Sequence, residues 1–178
     1  MNDRSAAELR AKQKRIAIGM SFAVVYLALV FWAGGWLVRV QPVPPAGRLA
    51  FALPWLMGPG LTVFLGVAAI GLARFTSPAM IEGGQLPATS PTEIDRRYLQ
   101  NTLEQFAVFL PGWLALAQLL PDARLGLVPA LALSFVFARL AFWWGYRRAS
   151  TGRAFGFAAT MMANVAIYGW ALTLWISG

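Results

Sequence analysis

The hydrophobic positions of this sequence form long stretches separated by short polar segments. A helix crosses about 30 Å of hydrocarbon with roughly 20 residues, and five stretches approach that length. They run from about Ile16 to Val38, Leu49 to Ala73, Leu99 to Pro121, Leu125 to Trp144 and Ala154 to Ile176. The pattern predicts an all-α integral membrane protein with five transmembrane helices.

The second stretch is interrupted, because it contains Pro54 and the Gly58-Pro59-Gly60 cluster. Both features predict a kinked first half that neighbouring helices must support. The alternative is a re-entrant second stretch, which would leave four spans and invert every later segment. The long polar segment from Phe75 to Asp95 is predicted to be an inner loop.

The composition excludes several kinds of chemistry. The sequence has 58% hydrophobic and 12% charged residues, with neither Cys nor His. We therefore expect no disulfide, no metal site built from Cys or His, no cysteine nucleophile and no imidazole base. A net charge of +8 would suit a nucleic-acid-binding protein. Because the Lys and Arg residues flank apolar stretches, they indicate membrane topology, and we expect no nucleic acid partner.

The distribution of positive charge predicts the orientation. With the N-terminus inside, eleven Lys and Arg residues lie on the inner side, and only Arg39, Arg48 and Arg124 lie on the outer side. Inner segments are the more basic ones in membrane proteins. We therefore expect a cytoplasmic N-terminus, with the basic segment 1–15 inside, and the short basic start favours a bacterial inner membrane.

Two charged residues, Glu104 and Arg139, fall inside predicted spans. A charge at the centre of a span costs at least about 2.5–3.5 kcal/mol, so it normally faces a protein interior and has a partner. Arg97, Asn101 and Glu104 are spaced i, i+4 and i+7 on one helix face, and Gln100 lies beside them. The stripe indicates a polar site near the inner surface. The structural alternative is an ion pair between Glu104 and Arg139 that fixes helix register.

Two further stripes run towards the same surface. They comprise Arg139, Phe142 and Tyr146 on the fourth stretch, and Arg153, Phe157, Met161, Asn164 and Tyr168 on the fifth. The three stripes are predicted to converge on one site near the cytoplasmic side. Simpler interpretations remain open. Tyr146 could be an interfacial aromatic residue, Arg147 and Arg148 plain inner charges, Asn164 and Tyr168 hydrogen-bonding groups between helices, and Gly34 and Gly35 a packing notch.

The run from Arg97 to Phe106, with Phe109 and Leu110 after it, resembles the signature of the MAPEG family, the membrane-associated proteins in eicosanoid and glutathione metabolism. That motif has an Arg four residues before an Asn and a carboxylate three residues after it, as Arg97, Asn101 and Glu104 are placed here. A second stretch, residues 139–157 with Tyr146 and Arg153, is similar to the end of the third family helix, its turn and the start of the fourth.

The resemblance covers roughly Leu49 to Ile176 and implies a MAPEG-type four-helix membrane domain over residues 49–178. Residues 16–48 would then be an extra N-terminal transmembrane helix with its outer loop. Family members are homotrimers that bind glutathione between neighbouring subunits near the cytoplasmic side. The resemblance therefore implies a homotrimer in contact with membrane lipid, glutathione as co-substrate, and a lipophilic small-molecule substrate.

The resemblance also implies roles for individual residues. Glutathione binding would fall to Arg97, Gln100, Asn101, Glu104 and Arg139. Tyr146 would contribute a hydroxyl, and Arg153 would stabilise the thiolate. A thiol has a pKa near 8.5, so a neighbouring guanidinium favours the ionised nucleophile. The planar fork of Arg also suits the two carboxylates of the tripeptide.

Three classes of function follow from these observations. The first is a glutathione-dependent transferase or peroxidase that acts on lipophilic electrophiles. The second is a non-catalytic helical membrane scaffold or lipid-binding subunit with the same fold. The third is a small transporter or channel in which Glu104 and Arg139 line a pathway. A channel would need a wet passage to the outer face, whereas the polar stripes thin out in that direction.

Overall fold

A computed structural model describes residues 3–76, 81, 87 and 89–178, and this part of the chain contains helices and no strand. The helices are α1 (Asp3–Trp36), α2 (Arg48–Ala52), α3 (Met57–Thr76), α4 (Pro91–Leu119), α5 (Leu127–Arg148) and α6 (Ala154–Ser177). Three short 3₁₀ turns lie at Pro45–Gly47, Leu53–Leu56 and Asp122–Arg124. The all-α prediction is confirmed.

The core lies around α5, which contacts α1, α3, α4 and α6. Aromatic rings fill the space between α4 and α5, where the Phe109 and Phe135 rings lie 4.8 Å apart between centroids. Trp113 is buried, and its Nε1 donates a hydrogen bond to the Val128 carbonyl at 3.1 Å. The indole therefore fills the core and still satisfies its polar atom.

Helix α1 is packed into the bundle along one face. Gly19, Ala23, Leu27 and Gly34 share that face, and Ala23 is fully buried. A Cβ at Gly34 would lie 2.7 Å from the Ala130 Cβ on α5. Because only glycine permits this approach, the predicted packing notch in α1 is confirmed.

The second predicted span is broken where the sequence indicated. Helix α2 gives way to the 3₁₀ turn Leu53–Leu56, which contains Pro54, and α3 follows directly. Pro59 lies in the first turn of α3, where a missing backbone N–H costs nothing. The helical segment Pro45–Thr76 is long and apolar enough to cross a membrane, which favours a span over a re-entrant segment.

Four helical segments of the described chain are long and apolar enough to cross a membrane: Ser5–Trp36, Pro45–Thr76, Asp122–Arg148 and Ala154–Ser177. They make the protein an integral membrane protein. Helix α4 is not among them, because its first turns are rich in charged and polar residues. The structure thus supports four of the five predicted spans, and a membrane crossing by α4 stays a prediction.

The start of α4 differs from the prediction. The helix begins at Pro91, eight residues before Leu99, because Ser90 forms an N-cap. The Ser90 hydroxyl accepts a hydrogen bond from the Glu93 backbone N–H at 3.2 Å, and Pro91 suits the first helical position. The predicted inner loop is therefore shorter than residues 75–95, and its positions 77–80, 82–86 and 88 lie outside the described residues.

Candidate functional site

A cleft of about 490 Å³ lies where α1, α4, α5 and α6 meet. It brings together one residue of each predicted stripe, because Asn101, Phe142 and Arg153 all line it, with Phe157 beside them. Residues of α1 and of the turn before α6 complete the wall: Leu9, Lys12, Gln13, Ile16, Ser150, Thr151 and Ala154. The predicted convergence is thus confirmed for these stripe residues, and the contribution of α1 was not foreseen.

Arg153, Tyr146 and Arg97 form a chain of contacts beside the cleft. The Arg153 Cζ lies 4.7 Å from the centre of the Tyr146 ring, a cation–π contact. The Tyr146 hydroxyl accepts a hydrogen bond from Arg97 Nη1 at 3.3 Å. Tyr146 is buried, unlike an aromatic residue that faces lipid at the interface. The ring and hydroxyl of Tyr146 therefore link all three stripes, because its ring contacts Arg153 and its hydroxyl contacts Arg97.

Arg139 is fully buried and does not line the cleft. Its guanidinium donates three hydrogen bonds of 2.8 Å, to Asn101 Oδ1, the Gly156 carbonyl and Thr160 Oγ1. The bond to Asn101 fixes the orientation of that side-chain amide. Because the amide oxygen is occupied, its Nδ2 group is the one left to donate to a ligand.

The ion pair considered between Glu104 and Arg139 is wrong. The Glu104 side chain is exposed on the surface of α4, where it accepts a hydrogen bond from Gln100 Nε2 at 3.2 Å. Asn101 takes the place of the expected carboxylate beside Arg139. Glu104 and Gln100 both lie outside the cleft lining of this single chain.

Glu93 organises the N-terminal end of α4 and was missed in the sequence analysis. Its carboxylate accepts hydrogen bonds from Arg96 at 2.7 and 2.9 Å and from Arg97 at 2.9 Å. The Arg96 guanidinium, and that of Arg97 after it, hold the pKa of Glu93 at about 2 despite its partial burial. The i, i+3 and i, i+4 spacing was a signal that could have found this cluster.

Asp95 is a second acidic residue that the sequence analysis missed. It accepts two hydrogen bonds from Arg147 Nη2, at 2.6 and 2.7 Å, and one from Trp143 Nε1 at 2.7 Å. The interpretation of Arg147 as a plain inner charge is therefore wrong, because it forms a salt bridge between α5 and α4. No local spacing could reveal this pair, which joins residues 52 positions apart.

The remaining polar residues of the α6 stripe, Asn164 and Tyr168, link α6 to α4. Asn164 Nδ2 donates to Gln105 Oε1 at 3.1 Å, and the Tyr168 hydroxyl donates to the Val108 carbonyl at 3.0 Å. The interpretation of both as links between helices is confirmed. In the described residues, no group of three His, Cys, Asp or Glu side chains is arranged to hold a metal ion.

These features define a helical integral membrane protein with a cationic cleft at one end of its bundle. A model of the MAPEG family matches residues 16–173, and the chain belongs to this family. The matched range begins within α1, a helix that the motif resemblance left outside the family domain.

Two relatives are named Transmembrane protein 79. The protein from Mus musculus is 24% identical over 165 residues, which cover 92% of this chain and 42% of the relative. The protein from Bos taurus is 24% identical over 149 residues, which cover 83% of this chain and 37% of the relative. The chain thus spans about two fifths of the length of these relatives. No solved structure matches it.

Proposed function

We propose that the protein is a glutathione-dependent membrane transferase or peroxidase that acts on lipophilic electrophiles. The observation that carries the proposal is the position of Arg153. Its guanidinium lines the cleft beside Asn101, and in the described chain it forms no salt bridge with a carboxylate. An uncompensated guanidinium in a largely apolar cleft suits an anionic ligand atom.

The chemistry would begin with ionisation of the glutathione thiol. A free thiol has a pKa near 8.5, and a guanidinium beside the sulfur favours loss of the proton to solvent. In conjugation, the thiolate electron pair forms a carbon–sulfur bond as the leaving group departs with its own pair. In peroxide reduction, the thiolate attacks one oxygen, and the O–O bond breaks with its electron pair leaving on the alkoxide. A second glutathione then reduces the resulting sulfenic acid, which gives glutathione disulfide and water. The rings of Phe142 and Phe157 would hold a lipophilic substrate that arrives laterally from the membrane.

The remaining ligand contacts would come from Asn101 in the cleft lining, and from Arg97 and the Tyr146 hydroxyl, which lie beside the cleft. Arg139 would act as a positioning residue, because it orients the Asn101 amide without lining the cleft. Gln100 and Glu104 face away from this chain's cleft. They could meet glutathione only at an interface with a second copy, which is consistent with a homotrimer.

The test is a glutathione titration of the purified protein in detergent, followed by the ultraviolet absorbance of the thiolate. We expect a saturable signal that Arg153→Ala abolishes while the assembly stays intact. Arg148→Ala is the matched control. Arg148 is a cation at the C-terminal end of α5, it stacks on Trp144, and it lies outside the cleft. Unchanged thiolate formation and turnover in Arg153→Ala would reject the role of this residue.

A specific observation favours a second candidate, a non-catalytic scaffold or lipid-binding subunit. Two of the motif arginines are engaged within the chain, since Arg139 bonds to α4 and α6 and Arg97 bonds to Glu93 and Tyr146. Such contacts stabilise the bundle whether or not a ligand binds. A well-folded protein that gives no thiolate signal in the titration would favour this candidate.

We also propose that the N-terminus is cytoplasmic and that the protein lies in a bacterial inner membrane. The excess of positive charge on the inner segments supports the orientation. The arrangement would place Arg97, Tyr146 and Arg153 near the cytoplasmic surface, where water-soluble glutathione is available.

A further inference from the structure

The first turns of α1 stand over the cleft because of how the middle of the helix packs. Lys12, Ile16, Gly19 and Ala23 follow each other at spacings of four, three and four residues, so they share one helix face. A Cβ at Gly19 would lie only 3.1 Å from the Ala154 Cβ and 3.1 Å from the backbone nitrogen of the next residue. This close approach fixes α1 against the start of α6, directly after Arg153.

The face that packs at Gly19 and Ala23 continues to the cleft as Ile16 and Lys12. Both residues line it, and Lys12 is its second cation after Arg153. Among the described residues, no acidic side chain lines the cleft and no carboxylate forms a salt bridge with Lys12. Both side chains are exposed to solvent, which screens their mutual repulsion, and an anion between them would be attracted to both. The cleft therefore suits a ligand with negative charge at two points.

We propose that Lys12 is a specificity-determining residue that binds a carboxylate of glutathione, so that α1 forms a wall of the ligand site within the same chain. The inference rests on the proposed function. Glutathione carries two carboxylates besides its thiol, and Arg153 is assigned to the sulfur. The flexible stem of Lys12 can pack along Ile16 while its ammonium reaches a carboxylate as a point charge.

The test compares Lys12→Gln with Lys14→Gln in the glutathione titration. Lys14 is the matched control, because it lies on the exposed surface of the same helix and outside the cleft. We expect Lys12→Gln to raise the glutathione Kd by roughly three- to tenfold, as the loss of one partly solvated ion pair implies. Lys14→Gln should bind like the parent protein, and Lys12→Arg should retain most of the affinity.

The pKa of the bound thiol distinguishes the role of Lys12 from that of Arg153. Lys12→Gln should leave this pKa unchanged, whereas Arg153→Ala should raise it or abolish the signal. A second measurement uses glutathione with each carboxylate esterified in turn. One ester should lose affinity for the parent protein without any further loss in Lys12→Gln, because the partner charge is already gone.

The outcomes distinguish the inference from the function on which it rests. If the parent protein binds glutathione and Lys12→Gln binds it as tightly as Lys14→Gln does, the inference is overturned and the proposed function stands. The inference is also overturned if each ester loses as much affinity in Lys12→Gln as it does in the parent protein. If the parent protein gives no saturable signal, both the function and the role of Lys12 are rejected.

Discussion

At the scale of single residues, Arg139 shows how a buried charge is accommodated within a helix bundle. Its partners are an amide oxygen, a backbone carbonyl and a hydroxyl, which lie on α4 and α6. Its Cζ also lies 4.7 Å from the centre of the Phe142 ring. Neutral acceptors and a ring face replace the carboxylate that a buried cation was expected to need. The guanidinium therefore joins three helices and holds the cleft-lining amide of Asn101 in place.

Replacing Arg139 should lower the stability of the folded protein, because its side chain is buried and bonds to two other helices. Arg139→Leu would leave the oxygen of Asn101 and the hydroxyl of Thr160 without their donor. We expect the free energy of unfolding to fall by roughly 2–4 kcal/mol, measured by reversible denaturation in mixed detergent micelles. Arg148→Leu on the exposed end of α5 should cost less than about 1 kcal/mol, since only a surface cation–π contact is lost. Equal stability of the two variants would contradict this assignment.

Helical spacing in the sequence could predict some contacts of the site residues and not others. Helical spacing placed Asn101, Phe142 and Arg153 on faces that converge, and the structure brings these residues to one cleft. Spacing alone could not identify the partner of Arg139, because Asn101 and Glu104 lie one turn apart on the same helix. Only the rotation of α4 against α5 decides which of them meets the guanidinium.

At the scale of secondary-structure elements, both ends of α4 are fixed by polar contacts. Ser90 caps the start, and Arg48 caps the end by donating to the carbonyls of Gln118 at 2.7 Å and Leu120 at 2.6 Å. Arg48 also forms a salt bridge of 2.8 Å with Asp122. A guanidinium at a helix C-terminus satisfies free carbonyls and interacts favourably with the helix dipole. The apolar pattern predicted the middle of α4, whereas its start lay in a polar segment that the pattern could not assign.

The N-terminal end of α4 should be sensitive to acid. Because the pKa of Glu93 is held at about 2 in the folded protein, below its value in an unfolded chain, its contribution to stability is complete above about pH 5. This contribution is lost as the pH falls towards about 2, when the carboxylate takes up a proton and releases Arg96 and Arg97. We expect the midpoint of thermal unfolding of the parent protein to fall over this range.

Glu93→Gln should lack this part of the acid dependence, and Glu8→Gln, on the exposed surface of α1, should keep it. The measurement is the unfolding midpoint of the three proteins in detergent as a function of pH. Since both arginines are substantially exposed, solvent screening makes the effect modest. Parallel acid profiles for the parent protein and Glu93→Gln would assign the sensitivity to other groups.

At the scale of the whole molecule, the exposed surface of α4 around Glu104 suits a contact with a second copy of the chain. Glu104 is exposed on α4, flanked by the exposed apolar residues Leu103 and Val108. If α4 crosses the membrane as predicted, a carboxylate on its lipid-facing surface is costly, and Gln100 is a neutral partner at 3.2 Å. A second copy of the chain could cover this surface and supply a cation or a ligand group to the carboxylate. The homotrimer that the family resemblance implies would do so.

The expected assembly is a trimer in which Glu104 lies at the contact between copies. Glu104→Ala should then weaken the assembly, because the contact loses a charged hydrogen-bonding group in a medium of low dielectric constant. Light scattering of the detergent-solubilised protein should give a trimer for the parent and smaller species for Glu104→Ala on dilution. Thr173→Ala is the control, since the Thr173 hydroxyl on the exposed face of α6 bonds only within its own helix among the described residues. A monomeric parent protein would remove the trimer from the proposal. A trimer that Glu104→Ala leaves equally stable would place Glu104 outside the contact between copies.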